Sequence, residues 1–267
     1  MPISDLFVSR HHQDSSGPPI VLVHGAPDRS KNYERVVQLL HDLPVTTYDR
    51  RGYGRSIAAG ASGGGFDVHA ADLIELLDGT PSIVVGQSAG GAILLKASTM
   101  APELFLAIGT WEAPMTPWDW WPADFKEQTA YWAAATDTEK LGEAVNRHLL
   151  GDEVFDRLSE STKSMLRAEG AAFRADMASQ AEPFFELSDL VVPRIMAGGD
   201  SAPPDSSLFG LTELCAERTG SNFLMIEGAS HTAFLAQPEA WAHLVRETIK
   251  LATFRSEVGA FESESSE

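Results

Sequence analysis

Cysteine is almost missing from this 267-residue chain: Cys215 stands alone, so no internal disulfide can form and a cysteine-based zinc cluster is excluded. Basic residues are scarce too, 20 against 38 acidic ones, giving a formal charge of −18. So negative a field repels phosphate backbones and anionic lipid, and no local basic run offsets it, which excludes general nucleic-acid or membrane-surface binding. No apolar run approaches the ~20 residues of a spanning helix. The longest uncharged stretch, around Pro81 to Leu95, is interrupted by Gln87, Ser88 and several glycines. Met1 to Asp5 lacks a basic region followed by an apolar one and does not read as a secretory signal, so the expected location is cytoplasmic. No H-x-x-x-H pair occurs among the eight histidines, so neither a metal site nor a cofactor is expected.

What is present is the composition of a soluble globular protein, 43% hydrophobic and 22% charged. Short apolar runs alternate with amphipathic stretches. Ile20 to Val23 precedes a helical pattern from Tyr33 to Leu40, Val45 to Tyr48 precedes Phe66 to Leu77, and Ile83 to Val85 precedes Ala89 to Ala101. Leu104 to Ile108 follows, and Val191 to Ala197, a helix near Leu208 to Arg218, Phe223 to Ile226 and a last helix from Pro238 to Phe254 resume the rhythm. Strands without clean alternation, separated by helices, predict an α/β fold with a mostly parallel sheet covered on both faces. Leu6 to Ser9 is expected as an antiparallel edge strand turned by Asp14 to Pro19.

Between Met115 and about Leu187 the strand signals vanish, which predicts an all-helical insertion over 115–187 between core segments 1–114 and 188–255. Residues 256–267 carry four glutamates, four serines and no base, and are expected as a mobile acidic tail.

The sharpest signal is Gly86-Gln87-Ser88-Ala89-Gly90 between the strand Ile83 to Val85 and an apolar helix. A serine on so tight a turn has strained backbone angles, needs glycine two residues to either side, and stands above the sheet edge beside a helix N-terminus. A hydroxyl needs a base to become a nucleophile, and His231, between the last strand and last helix, falls at the same edge. His11, His12, His41, His69 and His243 read as surface histidines. His24-Gly25-Ala26-Pro27 follows the first parallel strand.

These motifs, with Asp49-Arg50-Arg51-Gly52-Tyr53-Gly54-Arg55-Ser56, stand in the order found in the serine α/β-hydrolase family, which the chain resembles over about residues 6 to 254. The resemblance implies Ser88 as nucleophile, His231 as base, the amides of Ala26 and Ala89 as an oxyanion hole, the helical insertion as a lid, and the arginines of residues 49–56 as partners of carboxylates. The third triad member departs from the commonest pattern. The family usually carries G-x-x-D after the penultimate strand, whereas Ala197-Gly198-Gly199-Asp200-Ser201 puts Asp200 out of register. A subset carries the acid after the strand following the nucleophile helix, where Glu112 stands. Glu112 and Asp200 both remain candidates, Glu112 the favoured one.

Trp111, Trp118, Trp120, Trp121 and Trp132 fall within 22 residues of one another, joined by Phe125. Of these, Trp111, Trp118, Trp121, Phe125 and Trp132 are expected as walls for a small, mostly apolar substrate, although some of the rings must form the insertion's own core. The implied reaction is metal-independent hydrolysis of an ester, thioester or lactone. Carbon-carbon bond hydrolysis, cofactor-free perhydrolysis and a non-catalytic receptor on the same fold are the alternatives. The sequence leaves the oligomeric state open.

Overall fold

In the computed structural model, which describes residues 5–60, 64–201 and 210–264 (255–264 through their backbone), seven strands form one sheet. They are β1 (Val8–His11), β2 (Ile20–Val23), β3 (Val45–Tyr48), β4 (Ser82–Gln87), β5 (Phe105–Trp111), β6 (Arg194–Gly199) and β7 (Asn222–Ile226), in the order β1-β3-β2-β4-β5-β6-β7. Only β1 runs antiparallel, and it pairs with β3 rather than with β2, the next strand in the chain. The turn from Asp14 to Pro19 is therefore a crossing over the sheet end and not a hairpin.

All residues of β2 and β4 are buried, as strands covered on both faces must be. The period of two separates their side chains into two cores. Val21, Val23, Val84 and Ile108 meet Phe66, Leu73, Ile93 and Leu94 of helices α2 (Gly65–Leu77) and α3 (Ala89–Met100). Helix α1 (Glu34–Leu39) comes earlier in the chain, and its Val36 and Val37 share the opposite core with Ile20, Leu22, Val85, Trp241 and Leu244.

No strand interrupts the described residues between β5 and β6, and α4 (Ala123–Ala133), α5 (Thr138–Leu150), α6 (Asp152–Arg157), α7 (Glu160–Ala168) and α8 (Gly170–Ala178) fill that interval. Asp137 and Ser159 cap α5 and α7 by accepting from the amides of Lys140 and Thr162. Helix α8 is tied to the core by buried polar contacts. Asp176 accepts from Arg50 Nη2 at 3.0 Å and Tyr53 Oη at 2.7 Å, and its other oxygen lies 3.1 Å from His69 Nε2. Burial raises the Asp176 carboxyl, but Arg50 and His69 outweigh it and hold the group well below the usual carboxylate range. His69, expected on a surface, is 1% exposed, because this buried carboxylate gives it a partner. Glu169, at the junction of α7 and α8, accepts from Arg29 Nη2 at 3.0 Å and from the Gly54 amide at 2.9 Å.

After β6 come α9 (Leu211–Thr219), α10 (Ala233–Ala236) and α11 (Pro238–Glu264). The expected helix start near Leu208 lies outside the described residues. Residues 256–264, expected as a tail, continue α11: extending a formed helix adds a hydrogen bond per residue without a new nucleus. Residues 1–4 and 265–267 lie outside the described residues. No helix among the described residues is long and apolar enough to cross a membrane.

Candidate active site

Strand β4 runs directly into α3, and the single residue between them is Ser88, at φ 49° and ψ −125°. A non-glycine residue there is held by its surroundings: the Ser88 amide donates to Trp111 O at 2.8 Å, and its carbonyl accepts from Gly91 and Ala92. The flanking glycines are steric necessities. A Cβ on Gly86 would stand 2.6 Å from Gly90 O, and one on Gly90 would stand 2.4 Å from His24 O. Ala89, the first residue of α3, has an amide without an intrahelical acceptor, and Ala26 lies across the same cavity.

Glu112, immediately after β5, also adopts a positive φ, 46°. Its amide donates to Ala197 O at 2.9 Å, and the backbone turn aims its side chain back across the sheet edge. The carboxylate is 3% exposed. Oε2 accepts from His231 Nδ1 at 2.5 Å, and Oε1 accepts from the Gly199 amide at 3.2 Å. Asp200 is elsewhere: it is exposed, and its Oδ1 accepts from the Gly228 amide at 2.5 Å, bracing the turn that follows β7.

The remaining ring nitrogen of His231 departs from expectation. Among the described residues no hydrogen bond joins it to Ser88. Its Nε2 lies instead 2.9 Å from Nε2 of Gln87. Ser88, Glu112 and His231 nevertheless line one cavity of about 170 Å³ together with Ala26 and Ala89.

Of the five aromatic residues expected at the substrate, two are there. Phe125 and Trp132, seven residues apart on α4, both line the cavity, and Trp132 meets Phe173 of α8 edge to face at 5.4 Å between centroids. The other three do not line it. Trp111 is fully buried: the period of two in β5 places it with Ala107 on the α11 face, where its ring lies 6.4 Å from that of Trp241. Trp118 packs on Phe184 and Phe185 at 5.1 and 4.9 Å, because these rings close the two ends of the insertion onto the sheet. Trp121 is 3% exposed and backs Phe125 from behind at 5.7 Å.

Sequence reasoning missed five polar residues of the cavity, Thr116, Gln128, Thr129, His148 and Gln180. Gln180 accepts from Thr116 Oγ1 at 2.8 Å, and both side chains are buried; His148 of α5 stands at the wall with Leu149. These three carry no sequence signal: Thr116 and Gln180 lie outside the helices, and His148 is exposed on α5. The arginines of residues 49–56 pair with carboxylates: Arg50 with Asp176, Arg51 with Asp72 at 2.7 Å, and Arg55 with Asp49 at 3.0 Å. His24 is buried. Its Nε2 accepts from the Arg50 amide and its Nδ1 donates to Gly25 O, while burial and then the Arg50 charge hold it well below the ordinary histidine range. It is a neutral brace for the loop carrying Ala26. Among the described residues no group of three or more His, Cys, Asp or Glu side chains could hold a metal ion.

The lining makes Trp132 a test of selectivity. Trp132→Ala should raise KM for small substrates by about tenfold or more while changing kcat less, and should shift preference toward bulkier ones. The measurement is a KM and kcat series over substrates of graded size. A lowered melting temperature with unchanged selectivity would instead assign the ring to packing alone.

Comparison with known proteins matches this architecture. A family model described as "Alpha/beta hydrolase family" matches residues 20–244. Over 110 residues the chain is 33% identical to Lipase LipV of Mycobacterium tuberculosis, a match that spans 40% of this chain and 41% of that one. The chain thus spans well under half the length of this curated relative. The crystal structure of a bromoperoxidase from Bacillus anthracis superposes with a TM-score of 0.69 at 20% identity, over 92% of this chain and 95% of that one. A thermophilic esterase from Thermogutta terrifontis superposes with a TM-score of 0.65 at 22% identity, over 92% and 93%. At these identities the two structures speak for the fold alone.

Proposed function

The chain belongs to the alpha/beta hydrolase family, and on that premise we propose that it is a metal-independent serine hydrolase that cleaves an ester, thioester or lactone of a small, mostly apolar molecule. The observation that carries this reading is the Glu112 to His231 contact of 2.5 Å, at the same cavity as a serine in a positive-φ turn. Ser88 Oγ attacks the carbonyl carbon while His231 Nε2 takes its proton. The amides of Ala26 and Ala89 hold the negative oxygen, and Glu112 holds the ring with Nδ1 protonated and stabilises the positive charge that forms on it. His231 returns the proton to the leaving oxygen or sulfur, and water releases the acyl group by the same steps in reverse.

The cavity narrows the substrate class. Its volume of about 170 Å³ is below the roughly 300 to 1,000 Å³ of pockets that enclose drug-sized molecules, so the acyl part should be short. Phe125, Trp132, Phe173 and Met177 give it an apolar wall, and Thr116 hydrogen-bonded to Gln180, with Gln128, Thr129 and His148, gives it polar spots. The helical insertion acts as the lid.

The test is a panel of aryl esters of graded acyl length beside thioesters and lactones, with labelling by an alkyl fluorophosphonate followed by mass analysis. Expected are turnover of short-chain esters or small lactones and a single adduct on Ser88. A ligand that binds with no turnover and no adduct would mark a receptor. Turnover confined to vinylogous diketones or to peroxide-dependent oxidation would move the assignment to carbon-carbon hydrolysis or perhydrolysis.

A further inference from the structure

The residue before Ser88 has its side chain inside the site. Gln87 is 4% exposed, and its side chain runs between two parts of the site. At one end its Nε2 lies 2.9 Å from His231 Nε2. Along its length the amide oxygen fills the space beside Gly25, where a Cβ would stand 1.9 Å from Gln87 Oε1. A side chain at Gly25 would thus have to displace the Gln87 amide from its present place.

The orientation of the amide follows from its neighbours. The Glu112 carboxylate accepts, so Nδ1 of the neutral His231 ring carries the proton and Nε2 presents its lone pair. An amide oxygen facing that lone pair would set two acceptors together, so Gln87 presents its NH2 group. That lone pair is the one that must take the Ser88 proton.

We propose that Gln87 is a positioning residue that occupies the proton-accepting nitrogen of His231 in the resting enzyme, so that Ser88 is activated only when the ring exchanges the Gln87 amide for the Ser88 hydroxyl. The inference rests on Ser88 being the nucleophile. It makes the amide a brake: a single neutral hydrogen bond has to be given up before each proton transfer, which slows nucleophile activation by about 3- to 10-fold. The tautomer needs no help from Gln87, because Glu112 already fixes it.

Two variants of nearly the same length separate this role from simple packing. Gln87→Met fills the space beside Gly25 but donates nothing. Gln87→Glu only accepts, and so holds His231 with Nε2 protonated and the lone pair lost. The readout is the rate of phosphonylation by an alkyl fluorophosphonate, in which Ser88 Oγ forms a bond to phosphorus, fluoride leaves and the serine proton passes through His231 to solvent. Gln87→Met should be labelled about 3- to 10-fold faster than wild type, with kcat raised and KM unchanged where acylation limits turnover. Gln87→Glu should be labelled at least about tenfold more slowly. Packing alone would slow both variants together with a fall in melting temperature. A natively melting Gln87→Met labelled no faster than wild type would overturn the proposal.

A measurement without any Gln87 variant decides the same point. In long-range 1H–15N spectra His231 should be the Nδ1-protonated tautomer with Nε2 accepting a hydrogen bond, and Ser88→Ala should leave that Nε2 resonance in place. A shift toward a free lone pair in Ser88→Ala would show that Ser88, not Gln87, is the resting partner. Failure of the nucleophile reading has a different signature, the absence of any label on Ser88 in the wild-type enzyme.

Discussion

Ser88→Ala should abolish hydrolysis, lowering kcat by on the order of 10⁴-fold or more, while the melting curve stays that of the wild type. The size follows from triad members acting as a unit: without the hydroxyl, His231 has no proton to take and Glu112 no charge to stabilise, and only oxyanion binding remains. The fold is spared because what fixes this turn is backbone. The Ser88 amide to Trp111 O, the close packing of Gly86 on Gly90, and the start of α3 are all unchanged by deleting one side-chain oxygen. Purified variant showing wild-type turnover, with contamination excluded by the missing phosphonate adduct, would remove Ser88 from the mechanism.

Glu112→Gln should cost roughly 10² to 10⁴-fold in kcat with little change in KM. The geometry shows why an amide of the same shape fails. The two carboxylate oxygens of Glu112 accept from two different donors, His231 Nδ1 and the Gly199 amide. Glutamine has one oxygen and one NH2 group, so whichever donor faces the nitrogen loses its acceptor. Where that donor is His231, the ring must turn or take the other tautomer. Asp200→Asn should by contrast cost about tenfold or less, since its carboxylate braces the Gly228 turn and an amide oxygen can still accept there. Kinetics of the two purified variants side by side decide the matter. An Asp200 variant as impaired as the Glu112 variant would return the acid to the end of β6.

Much of this arrangement was legible in the sequence, for reasons particular to each element. The strand-turn-helix around Ser88 announces itself because sterics allow only glycine at Gly86 and Gly90, and apolar runs bracket them. Glu112 became a candidate through the resemblance alone, since a subset of the family carries the acid after the strand that here ends at Trp111, while Asp200 falls one residue before the family's usual position. That Arg50 meets a carboxylate was expected from the resemblance, but which carboxylate, and with it the burial of His69, could not be read, because Asp176 lies 126 residues beyond Arg50 in a helix whose pattern carries no sign of the contact. The tryptophans show another limit. Trp111 adjoins Glu112 in the chain, yet consecutive residues at the end of a strand point to opposite faces, so adjacency to a site residue placed its ring in the far core. Gln87 was hidden for a different reason: a variable position in a motif says nothing until the neighbouring loop shows what its side chain displaces.

The buried ties at Asp176 and Glu169 bear on how far this scaffold can be taken apart. Removing one partner of a buried ion pair leaves the other charge stranded, at a cost of roughly 3–5 kcal/mol, against a total stability of about 5–15 kcal/mol for an ordinary domain. The helical insertion should therefore melt together with the sheet in one calorimetric transition. A chimaera that took its insertion from a relative would leave Arg50 buried without a counter-charge, unless the donor segment supplied an acid where Asp176 stands. Helices α4 and α5 are in turn bound to α7 and α8: Glu143 of α5 accepts from Arg167 of α7 at 2.7 Å, Leu141 and Val145 share a small core with Phe173 and Met177 of α8, and Trp132 of α4 meets Phe173. Exchange of substrate range by segment transfer therefore has its natural seams at the two ends of the whole insertion, with an acid kept where Asp176 stands to meet Arg50.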